Sequence, residues 1–291
     1  MENSLRQTIE SLLRIRPEES TRTWWSFLYL FFGVGSFITS RIARDSLFLE
    51  IPNYKSHLPI TYIVISITVS ASMFFYSKVE RTLRRDQTNF LTLTLLMVVT
   101  LLFRAWLVEP TELTYWCYYV WVELFGAFLI VQFWAFTNEI FHSRQAKRLF
   151  AIISGGGVLS NIAFGFSIRT LSSTVGTENL LYLISACLLV CMLALRALRR
   201  QALAELDTAH KKSPRRMQSA QTGPNPLRSR HVKLLAMTVV LTFIVSTLVD
   251  FQFKSMVGDA ISEKDQRTAF FGTFFGICGI LGGIIQFGLT S

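Results

Sequence analysis

Six ionisable residues of this 291-residue chain stand inside or at the ends of its first, fourth and seventh long apolar runs. Arg41, Arg44 and Asp45 close the first run, Glu123 lies near the middle of the fourth, and Asp250 and Lys254 close the seventh. A charge in hydrocarbon costs several kcal/mol unless it faces protein or water, so such residues are functional candidates by default. Their spacing carries more. Arg41 and Asp45 are four apart, as are Asp250 and Lys254, so each pair shares a helix face. Aligning Asp45-Ser46 with Lys254-Ser255 sets Arg41 against Asp250, and the two helices then present the same face with signs reversed. This predicts that the pairs meet across a pseudo-twofold axis and hold a gate by ion pairing. The simpler alternative is that each pair neutralises itself near a membrane surface. Chemically, charges gathered inside apolar runs suit the path of a polar substrate.

The elements that must position these charges are membrane helices. The chain is 51% hydrophobic and 16% charged, with a mean hydropathy of +0.40, well away from a soluble domain at ~25% charged. Apolar runs of about 20 residues, enough to cross ~30 Å of hydrocarbon, recur along it. They predict an all-α polytopic membrane protein with spans near 24–46, 58–77, 89–108, 114–138, 149–170, 178–197, 232–253 and 269–289. Most of the 29 basic residues fall in 1–22, the second and fourth loops and the long connection 198–231. By the positive-inside rule these lie in the cytoplasm. The net charge of +10 is thereby explained without a nucleic-acid partner.

Residues 1–22 form a cytoplasmic N-terminal segment, either an interfacial amphipathic helix or a solvated lead-in. Residues 23–197 form a six-helix half, 198–231 a flexible basic linker, and 232–291 the start of a second half. Six spans, a basic linker and further spans follow the major-facilitator architecture, in which the first helix of each three-helix repeat lines the central cavity. Spans 1, 4 and 7 hold those places here and all carry charge. On this reading the sequence covers one half and the first hairpin of the second. Small residues at Gly157, Asn161 and Gly165, and at Gly272, Gly276, Gly279 and Gly283, predict close helix packing. Gly155-Gly156-Gly157 lacks the lysine and Ser/Thr of a phosphate loop. Arg104 and Arg169 read as interfacial anchors, and Glu139 with Arg144, Lys147 and Arg148 as a helix-ending charge network. Cys117, Cys187, Cys191 and Cys278 have no metal-ligand spacing. No enzyme motif, metal site or cofactor is expected.

These residues carry a family resemblance. Arg41-Ile-Ala-Arg44-Asp45-Ser-Leu47, Glu123-Leu-Phe-Gly126, Phe133-Trp134-Ala-Phe136-Thr-Asn138, Gln145-Ala-Lys147-Arg148-Leu-Phe150 and Leu248-Val-Asp250-Phe-Gln-Phe-Lys254-Ser255 are together similar to motifs of the ATP/ADP translocases of plastids and obligate intracellular bacteria. The likeness runs in order along essentially the whole chain. It implies a counter-exchanger of ATP and ADP in a lipid bilayer, here a bacterial inner membrane, with Glu123 and Asp250 on carboxylate positions important for transport. Arg41, Arg44, Asp45 and Lys254 fall on its charged motif positions. Asp250 stands where the family has Glu, Arg44 where it has Lys, and Asn53 where it has a transport-critical lysine, with Lys55 two residues on as the candidate substitute. These departures leave room for another anionic or phosphorylated metabolite, or for a non-transporting sensor or scaffold.

Overall fold

A computed structural model describes residues 17–79, 85–141, 143–209 and 230–288. Eight long helices account for nearly all of it: α1 (Pro17–Phe48), α2 (Tyr54–Val79), α3 (Arg85–Trp106), α4 (Glu112–Ile140), α5 (Ser143–Val175), α6 (Leu180–Ala209), α7 (Arg230–Ala260) and α8 (Lys264–Gly288). A 3-10 turn at Thr177–Asn179 joins α5 to α6. Each of the eight helices is long and apolar enough to cross a membrane, and no strand occurs among the described residues. The all-α polytopic expectation therefore holds. The helices outrun the expected spans at several ends. The largest excess is in α6, which continues to Ala209 through the first part of the segment expected to be a linker. Gln201 to Ala209, QALAELDTA, is rich in strong helix formers, which explains the continuation. Most of the linker lies outside the described residues, as do residues 1–16 of the expected N-terminal segment 1–22, whose last six residues, from Pro17, belong to α1.

Helix α1 is the axis of the bundle. It packs most extensively against α5 and α6 and also touches α4 and α8. Its inward face meets Phe133 through Tyr29, with ring centroids 5.2 Å apart, and Ile42, Ala43 and Leu47 beside the charges are fully buried. α4 starts sharply because Thr111 forms a capping box with Thr114, satisfying free N–H groups of its first turn. Asn53 ends the α1–α2 turn at φ 56°, a left-handed conformation that asparagine tolerates better than most residues.

The closest helix pair is α5 with α8, and glycine is the reason. A Cβ built on Gly165 would lie 2.6 Å from Gly276 Cα and 2.9 Å from Gly272 O, while one on Gly279 would lie 2.9 Å from Asn161 Cβ. The two small-residue stripes read from the sequence thus face each other, and backbone approaches backbone where no side chain fits. α7 is different. Residues 233–246 are exposed throughout, and the helix is held through its C-terminal turns, where Lys254 and Val257 are buried.

Candidate functional site

The α1–α2 turn, the α5–α6 turn and the α7–α8 turn lie at one end of the bundle, and two layers of polar contacts cluster there. The deeper layer is built on α1. Arg44 and Asp45 are side by side near its C-terminus with side chains 1% and 2% exposed, so neither charge can rely on water. Arg44 Nε donates to Asp45 Oδ1 at 2.9 Å. Its NH1 pairs with Glu123 Oε1 of α4, and its guanidinium lies 4.1 Å above the ring centroid of Tyr119. From α7, Lys254 reaches the same oxygen of Asp45, with Nζ 3.1 Å from Oδ1. Lys254 also donates to Tyr119 Oη at 2.6 Å and to Asp250 Oδ2 at 2.7 Å. Asp250 accepts from Tyr62 Oη of α2 at 2.9 Å, and Arg41 lies 3.6 Å from its Oδ1.

Both cross-helix pairs follow the sign-reversed alignment: Arg41 with Asp250, and Asp45 with Lys254. The in-helix pair Asp250–Lys254 coexists with them. Three cations and three carboxylates give a neutral centre. Its burial is graded. Arg44, Asp45 and Lys254 are sealed, whereas Arg41, Glu123 and Asp250 are 38%, 36% and 25% exposed. The buried trio carries one net positive charge, and the two carboxylates that balance its cations stand at the accessible edge. An incoming anion can therefore meet Arg44 and Lys254 by replacing Glu123 and Asp250 as their partners, one charge-assisted contact for another.

The outer layer is a rim. Lys55 Nζ pairs with Asp259 Oδ2 at 2.6 Å, both side chains about half exposed, and Tyr54 Oη donates to Asp259 Oδ1 at 3.2 Å. Arg267 pairs with Glu50, and Lys264 with Glu178. Asp265 Oδ1 accepts from Thr177 N at 2.9 Å and from Thr177 Oγ1 at 2.6 Å. A buried hydroxyl chain links Thr177, Thr268 and Ser46, each step 2.7 Å. Of the residues singled out from the sequence, six meet in the centre, while Lys55 lies in the rim. Arg104 is tied to Asn179 Oδ1 at 2.6 and 3.0 Å, which fixes the α3 end to the 3-10 turn. At the opposite end of the bundle Arg148 pairs with Glu19 of α1, so it joins two helices rather than closing α4 alone.

Sequence reasoning passed over Tyr119 and Tyr62. Tyr119 precedes Glu123 by four residues, which places both on one face of α4, and that was a usable signal. Tyr62 sits in an apolar run of α2 and nothing in its spacing points to Asp250.

Eight membrane-length helices around a buried, charge-balanced polar centre define a polytopic membrane protein of the transporter type. A sequence model of the TLC ATP/ADP transporter family matches residues 46–290, and the chain belongs to that family. It is similar to ADP,ATP carrier protein 1 of Chlamydia muridarum and of Chlamydia trachomatis, each 26% identical over 180 residues, covering 55% of this chain and 34% of the relative. The protein of the same name from Chlamydia pneumoniae is 26% identical over 197 residues, 60% of this chain and 38% of its own length. The matched stretch is thus little more than a third of these curated relatives. No solved structure gives a significant match.

Proposed function

We propose that the protein exchanges nucleotides, ATP against ADP, across a bacterial inner membrane by alternating access, and that it is not an enzyme. The observation that carries this reading is the neutral centre on α1, α4 and α7, two of whose carboxylates stand exposed in front of buried cations, in a chain of an ATP/ADP transporter family. Arg41, Arg44 and Lys254 receive phosphate oxygens, and Glu123, Asp45 and Asp250 are their resting partners. Binding a polyanion displaces Glu123 and Asp250 but leaves them close by. Their repulsion from the bound phosphates then favours a rearranged site, which couples occupancy to the conformational change. An unloaded carrier keeps its charges paired, and this favours exchange over net leak. The six-helix half 23–197 and the segment from 232 are the two bodies that rock, joined by the basic linker 198–231. The basic loops support a cytoplasmic N-terminus and linker.

A second reading, a smaller phosphorylated solute, is favoured by Asn53. It holds a left-handed turn position where the resemblance calls for a lysine, and Lys55 is engaged with Asp259 rather than with the centre. Both readings are tested by uptake of labelled ATP into proteoliposomes preloaded with ADP, using the complete reading frame. Uptake that requires internal ADP and is abolished by Glu123→Gln in normally inserted protein supports nucleotide exchange. No uptake by folded, inserted protein rejects it in favour of another anion.

A further inference from the structure

At the end of the bundle away from the rim, α3 and α6 flank an open groove of about 120 Å³ lined by Phe90, Leu195, Arg196 and Arg199. We propose that this groove binds the phosphate headgroup of an anionic phospholipid. Four observations lead there. First, the groove sits at an interface level. The Arg104–Asn179 contact pins the end of α3 to the turn that leads into α6 at the rim end. Phe90 is 14 residues from Arg104 and Arg196 is 16 residues from Leu180, so both lie roughly 21–24 Å away at 1.5 Å per residue. A hydrocarbon core is ~30 Å thick; Arg199, 19 residues from Leu180, lies roughly 29 Å along, and the long arginine side chains snorkel outward from there to the level of one leaflet's phosphates.

Second, Arg196 is held in a receptive orientation. Its guanidinium carbon lies 4.9 Å from the Phe90 ring centroid. A cation–π contact with a ring uses none of the guanidinium's N–H donors, and Arg196 is exposed, so those donors remain for phosphate oxygens. Third, the surface below suits acyl chains. Leu193 and Leu189, three and seven residues before Arg196 and hence on its face, are 51% and 50% exposed, while Leu195 closes the inner wall of the groove. Fourth, this end of the bundle receives the basic loops, and juxtamembrane cations draw anionic lipid to the same leaflet. A soluble phosphate would use the two arginines but not the leucine face, so the apolar surface selects the lipid. This site is separate from the ion-pair centre and does not depend on the transport reading.

The test is native mass spectrometry of the delipidated protein in detergent, titrated with phosphatidylglycerol or with phosphatidylcholine of the same acyl chains. Phosphatidylglycerol should be retained about 25-fold better, at roughly fivefold per charge, and Arg196→Gln with Arg199→Gln should bring the two lipids to within about twofold. Equal retention of both lipids by wild type overturns the proposal, as does a preference that survives in the double variant. A thermal melt in detergent checks folding. If the double variant does not melt cooperatively, Phe90→Leu decides, because it keeps both charges and removes the platform. A severalfold drop in phosphatidylglycerol retention then supports the site, and unchanged retention overturns it. Excess inorganic phosphate is the last arm. Lipid adducts that persist support a lipid site, whereas their displacement assigns the arginines to soluble phosphate and overturns the lipid reading.

Discussion

Tyr119 joins the two buried cations of the centre by different parts of one side chain. Its ring carries the Arg44 guanidinium and its hydroxyl accepts from Lys254, so a residue of α4 sets the spacing between a cation of α1 and one of α7. Hydrogen bonds to charged groups contribute ~1.5–3 kcal/mol, and a cation–π contact out of water roughly 2 kcal/mol. Tyr119→Phe separates the two. It removes the acceptor from Lys254 and leaves the platform under Arg44. The expected result is exchange slowed about tenfold or more at near-normal detergent melting temperature, with Tyr119→Leu losing stability as well. Equal activity of Tyr119→Phe and wild type would remove Tyr119 from the site. The charged members of the centre were readable in advance because an ionisable residue in an apolar run has few structural excuses. Tyrosine has many: it serves as core, as interfacial belt and as hydrogen-bond donor alike, so Tyr119 and Tyr62 became visible only through their partners.

At the scale of elements, the seam between α5 and α8 shows how the sequence chooses which helices approach. Gly165, Gly272 and Gly276 bring two backbones into contact, and a methyl group at Gly165 would meet main-chain atoms rather than a side chain able to swing away. Gly165→Ala should therefore destabilise the protein by at least the ~1–3 kcal/mol of an overpacked core. Gly282 lies on the same helix as Gly276 with nothing within 4 Å of a built Cβ. Gly282→Ala should be neutral or mildly stabilising, by up to ~1 kcal/mol of helix propensity. Thermal melts of the two variants in one detergent check this pair, and similar losses for both would mean the seam is not the closest contact. The glycine stripes were legible as packing surfaces, but a stripe does not name its partner. The partner emerges only when α5 and α8 are set side by side. In the same way, helix length was legible from apolar runs, whereas the extension of α6 to Ala209 depends on helix propensity in a polar stretch, which hydropathy does not register.

For the whole molecule, the distribution of polar contacts is asymmetric. Centre and rim bind α7 to the first six helices at one end only, and its residues 233–246 are exposed, whereas α8 is held along its length by α5 as far as Gln286 and Ser154. On the alternating-access reading proposed above, the contacts at the centre-and-rim end are released in turn, and the rim is the part of them that water can reach. Arg267 is a poor place to test it, because its side chain is 4% exposed and removing its partner would strand a buried charge at a cost of roughly 3–5 kcal/mol. Asp250 is also a poor place, since it serves Arg41, Lys254 and Tyr62 together. Lys55 and Asp259 are about half exposed and each finds its opposite charge in the other. An exposed pair of this kind contributes only ~0–1 kcal/mol to stability, so reversing one sign should leave folding intact while placing like charges across the rim. Lys55→Asp and Asp259→Lys should each shift the closed–open balance by about 1 kcal/mol and slow exchange severalfold. The double swap should recover most of the wild-type rate, since it restores the pair with its polarity inverted. A swap no better than either single variant, in protein inserted at normal levels, would mean that the rim fastens the fold and takes no part in gating.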